Sequence, residues 1–249
     1  MPKILNIDIL SLREYELLEM LHEGVVFTPN VDHLVRLQED KQFYHAYQKA
    51  DWIICDSVIL QRISKLLRQP IVESIPGSTF FLDFCNYHRN DDDCRIFILG
   101  GKDGVPQKAM ENVNRKFGRR MVVGAHSPSF SFMNDEAENG QLVRIIDESR
   151  ATVLMVCATS PKQELWIARY KSFLSKVRLF MALGATVDFV AGTVKRCPVF
   201  LQRLGGEWFY RFLQEPKRMY RRYFIDDPKI FWYLFKQILG IYKNPHDNA

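Results

Sequence analysis

The feature that most narrows the fold is a repeated change of period between residues 95 and 183. Arg95–Leu99, Met121–Val123, Thr152–Val156 and Arg178–Leu183 are short apolar runs of strand type. Gly100, Gly124 and Gly184 directly follow three of them. Helical patterns fill the gaps, over Val105–Phe117 and Asp135–Ser149, and again after Pro161, a residue suited to a first helical position. Upstream, Ile4–Ile9, Val25–Thr28 and Trp52–Cys55 read as further strands. Ser11 with Glu14 reads as a capping box that opens an amphipathic helix to about Glu23. A helix follows Pro29-Asn30, Ser57 opens another to about Arg68, and Pro76-Gly77-Ser78 is a turn before a further one. Strands and helices in strict alternation predict an α/β fold with a mostly parallel sheet and helices on both faces.

The pattern changes near Lys195, where strands stop and helices rich in arginine and aromatics take over. This divides the chain into an α/β core over 1–194 and a basic, aromatic helical appendage over 195–249. The appendage carries 11 Lys/Arg against 5 Asp/Glu, whereas residues 1–194 carry 23 against 24. The net charge of +5 therefore belongs to the last quarter, which points to an anionic surface or ligand. A merely solvated basic face is the plainer alternative. Ile230–Tyr242 reads as a strongly apolar helix, too short to span a bilayer but able to lie on one or to pack on a partner. The opening MPKILNIDIL carries Asp8 and reads as a first strand, not a signal peptide. No apolar run reaches the roughly 18 residues of a spanning helix. The five cysteines (Cys55, Cys85, Cys94, Cys157, Cys197) form no CxxC pair, which argues against a disulfide framework or zinc site and fits a reducing cytoplasm.

Candidate chemistry clusters where strands end, the place where open α/β sheets hold ligands. Gly184–Tyr223 leads from a strand end through a glycine-punctuated loop into the basic tail. In FILGGKDGV, Gly100 and Gly101 let backbone N–H groups approach a phosphate, or simply form a tight turn. In SPKQELW, Gln163 and Glu164 sit where they could hydrogen-bond a nucleotide or sugar, although Glu164 also complements a helix dipole. Thr28 and Asn30 suit sugar or phosphate binding, with helix capping as the alternative for Asn30. His33 has no second histidine at metal spacing and is not read as a ligand. Asp56 ends a strand and can serve as a general base or as a helix cap. The DxD run Asp91–Asp93 precedes a strand and reads as a solvated turn rather than a metal site. Phe130 or Phe132 could stack on a base, though aromatics are more often core. Arg211, Arg218, Arg221 and Arg222 can grip a diphosphate, and Trp208, Phe209, Tyr210, Tyr220 and Tyr223 among them suit a membrane interface. No nucleic-acid motif is present.

DFVAGTVKRCP, QRLGGEW and EPKRMYRRY, with TPNVDHL, FILGGKDGV, GAHSPSF and SPKQELW in this order, resemble the WecG/TagA/CpsF family of bacterial glycosyltransferases, glycosyltransferase family 26. The likeness runs from about Asn6 to Tyr223. It implies a Rossmann-like fold of GT-E type and an inverting enzyme; the sequence holds no convincing metal cluster, so metal independence is expected, with no cofactor. Such enzymes move a sugar, often of N-acetylmannosamine type, from a UDP donor to a polyprenyl-diphosphate-linked sugar at the cytoplasmic membrane face. The products are teichoic-acid linkage units, enterobacterial common antigen or exopolysaccharides.

Carried over, Asp56 is the proposed base, Thr28 and Asn30 the substrate-site pair, and Gln163 and Asp188 donor-pocket residues. Gly100, Gly101, Glu164 and Gly184 complete the expected donor site. The arginine-rich appendage would close over the site and meet the lipid diphosphate. Departures from the family pattern fall at Ser57, Ser74, Thr79 and Ala158, around the sugar and acceptor sites. The expected partners are a UDP-sugar, the lipid-linked acceptor and the inner membrane face, with no nucleic acid and a homo-oligomer left open. The rivals are a non-catalytic nucleotide-binding membrane adaptor and a nucleotide-dependent oxidoreductase. The second would want a GxGxxG fingerprint, which the chain lacks.

Overall fold

The structure, a computed structural model, describes residues 1–198, 200–201 and 204–247, with Arg218 described only through its backbone. Strands are β1 (Lys3–Ile4), β2 (Ile7–Asp8), β3 (Gly24–Phe27), β4 (Trp52–Ile53), β5 (Ile96–Gly100), β6 (Val122–His126), β7 (Val153–Cys157) and β8 (Leu179–Ala182). Helices in the first half are α1 (Glu14–Met20), α2 (Val31–Glu39), α3 (Lys41–Tyr47), α4 (Val58–Leu66), α5 (Gly77–Tyr87) and α6 (Val105–Phe117). They continue with α7 (Glu136–Glu148), α8 (Lys162–Tyr170), α9 (Thr186–Ala191), α10 (Glu207–Gln214), α11 (Pro216–Arg221) and α12 (Lys229–Ile238).

Six strands form one parallel sheet in the order β4-β3-β8-β7-β5-β6. Every residue of β5, β7 and β8 is buried, so alternate side chains feed two separate cores. Phe97, Leu99, Leu154, Val156, Phe180 and Ala182 face α2, α3, α7 and α8. Ile96, Ile98, Val153, Met155, Leu179 and Met181 face α1, α5, α6 and α9. The chain leaves β5 and β8 toward the second face, through α6 and α9. It leaves β3 and β7 toward the first, through α2 and α8. Neighbouring strands β3, β8, β7 and β5 therefore send their connections to alternate faces, the arrangement with which open α/β sheets place ligand sites at their carboxyl edge.

Three expectations need correction. Ile4–Ile9 is a two-strand antiparallel hairpin, β1 with β2, outside the main sheet. Leu5 turns the chain at φ +54°, and Asn6 is buried with its amide bonded to Leu37 O (2.9 Å). The first helix opens two residues beyond the Ser11 cap position. The Glu16 carboxylate accepts from Arg13 N (2.7 Å), while Ser11 Oγ accepts from Val72 N (3.0 Å) and so holds a loop. The apolar C-terminal helix has a partner within this chain. Ile230 and Leu234, one turn apart, enter the first core, and Gln237 Oε1 accepts from Leu5 N (3.0 Å). Its other side leaves Phe231, Trp232, Phe235 and Ile238 exposed.

All five cysteines are buried and free, so no disulfide contributes. Among the described residues no helix is long and apolar enough to cross a membrane.

Gly100 holds the tightest crossing in the sheet. At its φ of +123°, a Cβ would lie 2.3 Å from Cys157 O, a backbone atom with no room to move. Gly100→Ala is expected to destabilise the protein by roughly 3 kcal/mol or more in urea unfolding, because both strain and overlap act against it.

Candidate active site at the carboxyl edge

Asp56 follows β4 and lies half-buried. Its Oδ1 accepts from Gly77 N (2.8 Å), at the start of α5. The capping role open to Asp56 in the sequence falls to Ser57, whose Oγ accepts from Leu60 N (3.5 Å). Burial pushes the Asp56 carboxyl up to about 6, and Glu207 adds to the rise. The Gly77 N–H and the Arg211 and Arg222 guanidiniums oppose it. The appendage therefore reaches the electrostatic surroundings of Asp56. Gly77 is itself wedged against the turn after β8, with a Cβ position 3.2 Å from Leu183 and 3.4 Å from Thr186 Oγ1. One chain crossing thus separates Asp56 from the β8–α9 turn.

At that turn Gly184 N donates to Gln163 Oε1 (2.9 Å), and Gln163 Nε2 donates to Glu164 Oε1 (2.7 Å). Gln163 is 3% exposed and Glu164 0%. Both side chains are committed inside the protein, fastening the start of α8 to the end of β8. Glu164 also faces His33, with Oε1 4.0 Å from Nε2, and the other ring nitrogen of His33 lies 2.7 Å from Tyr47 Oη. Burial raises the Glu164 carboxyl to about 7 and lowers His33 to about 3. Gln163, with its hydrogen bond, moderates the first, and Arg222 and Arg36 reinforce the second. His33 and Tyr47 are thus structural members of the site that spacing alone did not reveal. Their meeting with Glu164 joins residues 131 positions apart.

Thr28 Oγ1 donates to Ala182 O (3.1 Å) and ties the ends of β3 and β8. Asn30 caps α2 by accepting from His33 N (3.3 Å), as the simpler reading had it. Its Oδ1 also accepts from Arg222 Nη2 (3.1 Å), so the appendage is bonded to this strand end. Asp188 sits half-buried in the first turn of α9, and its carbonyl accepts from Thr193 N (3.0 Å). Gly101 N donates to Cys157 O (3.0 Å), so for this N–H the tight-turn reading is the one the geometry favours.

The appendage arginines differ. Arg211 pairs with Glu207 (3.5 Å), and Arg222 lies between Asp32 (3.8 Å) and Asp227 (3.9 Å). Arg221 points outward, its side chain 81% exposed, toward Asp226 (3.6 Å). The side chain of Arg218 lies outside the described residues. Phe132 is core. Phe130 is exposed, with Lys162 Nζ 3.7 Å from its ring centroid. Asp91–Asp93 forms a self-bonded turn at the opposite, amino edge, where Asp91 Oδ1 accepts from Asp93 N (2.9 Å).

This site lies on a chain whose residues 2–244 match the family model for the Glycosyl transferase WecG/TagA/CpsF family. The chain belongs to that family. It is also similar to the N-acetylglucosaminyldiphosphoundecaprenol N-acetyl-beta-D-mannosaminyltransferase of Staphylococcus aureus (strain MRSA252), 29% identical over 174 residues. That match covers 70% of this chain and 65% of the relative, so it spans a little under two thirds of the relative's length. In this WecG/TagA/CpsF chain, the stretches TPNVDHL, FILGGKDGV, GAHSPSF, SPKQELW and DFVAGTVKRCP lie at the carboxyl ends of β3, β5, β6, β7 and β8.

The buried Glu164 has a consequence for stability. Its carboxyl holds a proton in the folded state up to about pH 7, whereas its ordinary value is 4.5. The folded chain therefore binds more protons than the unfolded chain across that window, and stability falls as pH rises through it. Glu164→Gln removes this dependence. Urea unfolding at several pH values should show wild type losing up to about 3 kcal/mol relative to the variant between pH 4.5 and 7.5.

Proposed function

We propose that this protein is an inverting, UDP-sugar-dependent glycosyltransferase that acts on a polyprenyl-diphosphate-linked sugar in cell-surface or exopolysaccharide assembly. Family membership supports the reaction class, and the Staphylococcus aureus relative supports an acceptor of the kind its name prints. The observation that carries the reading is the placing of Asp56: a half-buried carboxylate at a strand's carboxyl end, raised to about 6, with two guanidiniums acting on it.

In this mechanism the Asp56 carboxylate takes the proton from the acceptor hydroxyl as that oxygen attacks the anomeric carbon. The bond from that carbon to the diphosphate oxygen breaks, and UDP leaves with the electron pair. A base near pH 6 is ionised at neutral pH yet still basic enough to accept a proton. Donors fixed in advance at the diphosphate would each lower the barrier by about 3 kcal/mol. Gln163, Glu164, Gly184, Thr28, Asn30, Asp188, Gly100 and Gly101 shape the donor side. Gln163 and Glu164 act by holding the β8 turn rather than by direct contact. Residues 1–194 form the donor-binding core, and 195–249 meet the acceptor at the inner face of the membrane, where the protein is peripheral.

Asp56→Asn tests the proposal. With folding and UDP affinity retained, the variant should lose 10²- to 10⁴-fold in transfer rate, followed by mass spectrometry with UDP-N-acetylmannosamine and the lipid acceptor. An unchanged rate would exclude Asp56 as the base. In wild type, kcat/KM should rise with pH through about 6, because only the ionised carboxylate accepts the proton, and then level off.

A further inference from the structure

We infer that Arg196, in the loop after α9, is the guanidinium that grips a diphosphate at this site, an inference that rests on the functional reading above. The supporting observation is a contrast in charge pairing. Arg211, Arg221 and Arg222 each have a carboxylate within 4.0 Å. Arg196 has none among the described residues. Its Nη2 donates instead to two neutral hydroxyls, Ser78 Oγ (2.9 Å) and Thr79 Oγ1 (2.8 Å). Those bonds fix the guanidinium without neutralising it, and its Nη1 and Nε have no protein partner among the described residues.

The anchor also fixes its position. Ser78 and Thr79 directly follow Gly77, whose N–H holds Asp56. The Arg196 and Arg211 guanidiniums both approach the Phe189 ring on α9, at 6.0 and 5.5 Å from its centroid. Of the two cations at this ring, Arg211 is paired with Glu207, and Arg196 has no carboxylate within 4.0 Å among the described residues. A guanidinium with a free edge binds phosphate oxygens in pairs, which suits a doubly or triply charged group. Thr79, one of the departures from the family pattern, is thereby given a function as anchor for this arginine.

Both the UDP of the donor and the lipid acceptor carry a diphosphate, and the experiment separates them. Arg196→Ala, Arg196→Gln and Arg196→Lys are compared with wild type and with Lys108→Ala, an exposed cation on α6. UDP affinity is read by calorimetry and acceptor KM by steady-state transfer. Arg196→Ala and Arg196→Gln should each weaken one of these by about 10- to 100-fold, the loss expected for a charge-assisted hydrogen-bond pair. Arg196→Lys should recover part of it, and Lys108→Ala should match wild type. A loss confined to UDP affinity assigns the donor diphosphate, and one confined to acceptor KM assigns the lipid diphosphate.

Glutamine removes the charge while keeping a polar amide. If Arg196→Gln matches wild type in both measurements, Arg196 is only a tether and the inference is overturned. The same follows if Arg196→Ala stays within twofold in both. If wild type itself neither binds UDP nor transfers sugar, the functional reading fails and this inference falls with it.

Discussion

A single buried amide holds the crevice in shape. Gln163 accepts from Gly184 N at the end of β8 and donates to Glu164 at the start of α8, and it is almost fully removed from water. A buried donor or acceptor left without a partner costs about 1–3 kcal/mol, so this arrangement resists being loosened one bond at a time. Glu164 in turn needs a proton or a cation for its second oxygen, which has no hydrogen-bond partner among the described residues. Burial raises its pKa, and His33 and Tyr47 close the cluster from the α2–α3 side. The polar cluster therefore fixes the relative placing of the chain segments that leave β3, β7 and β8 for opposite faces of the sheet.

Legibility in the sequence followed the range of the interactions. Strands β5, β7 and β8 and helices α6 and α7 were readable because apolar period is a local property that burial on both faces enforces. Asp56 reads either as a base or as a helix cap, and the structure gives the cap to Ser57. What depended on distant partners was not readable. The Ser11–Glu14 spacing fits a cap, but the Val72 backbone claims the hydroxyl. His33 lacked a metal-spaced neighbour, and its real neighbours, Tyr47 and Glu164, are found only by folding. Arg196 stands inside the KRCP motif that carried the family likeness. Nothing local distinguished it from the basic residues that follow, because the distinction lies in which of them already have a carboxylate.

The same logic explains how residues 195–249 attach. Arg222 bonds Asn30 and lies near Asp32 and Asp227, while Ile230 and Leu234 insert beside α2. The first contact is electrostatic and partly buried; the second is apolar. Burying two such side chains contributes roughly 3–6 kcal/mol, more than a partly exposed ion pair supplies. The apolar anchor therefore carries most of the attachment, and the Arg222 cluster sets where the chain enters.

Between the α9 turn and the Arg222 cluster, α10 and α11 leave Trp208, Phe209, Leu213 and Tyr220 in water. That segment is held at both ends, by Arg196 on Ser78 and Thr79 and by Arg222 on Asn30. Between these anchors the segment is also tied to α4, where Arg62 Nη1 donates to Leu204 O (3.2 Å), and to α9, where the Arg211 guanidinium approaches the Phe189 ring. In the proposed reaction a lipid diphosphate must come near Asp56 with its polyprenyl chain still in the bilayer. An exposed aromatic segment running from Ser78 and Thr79 to Asn30 meets that geometric demand better than one packed into the core would.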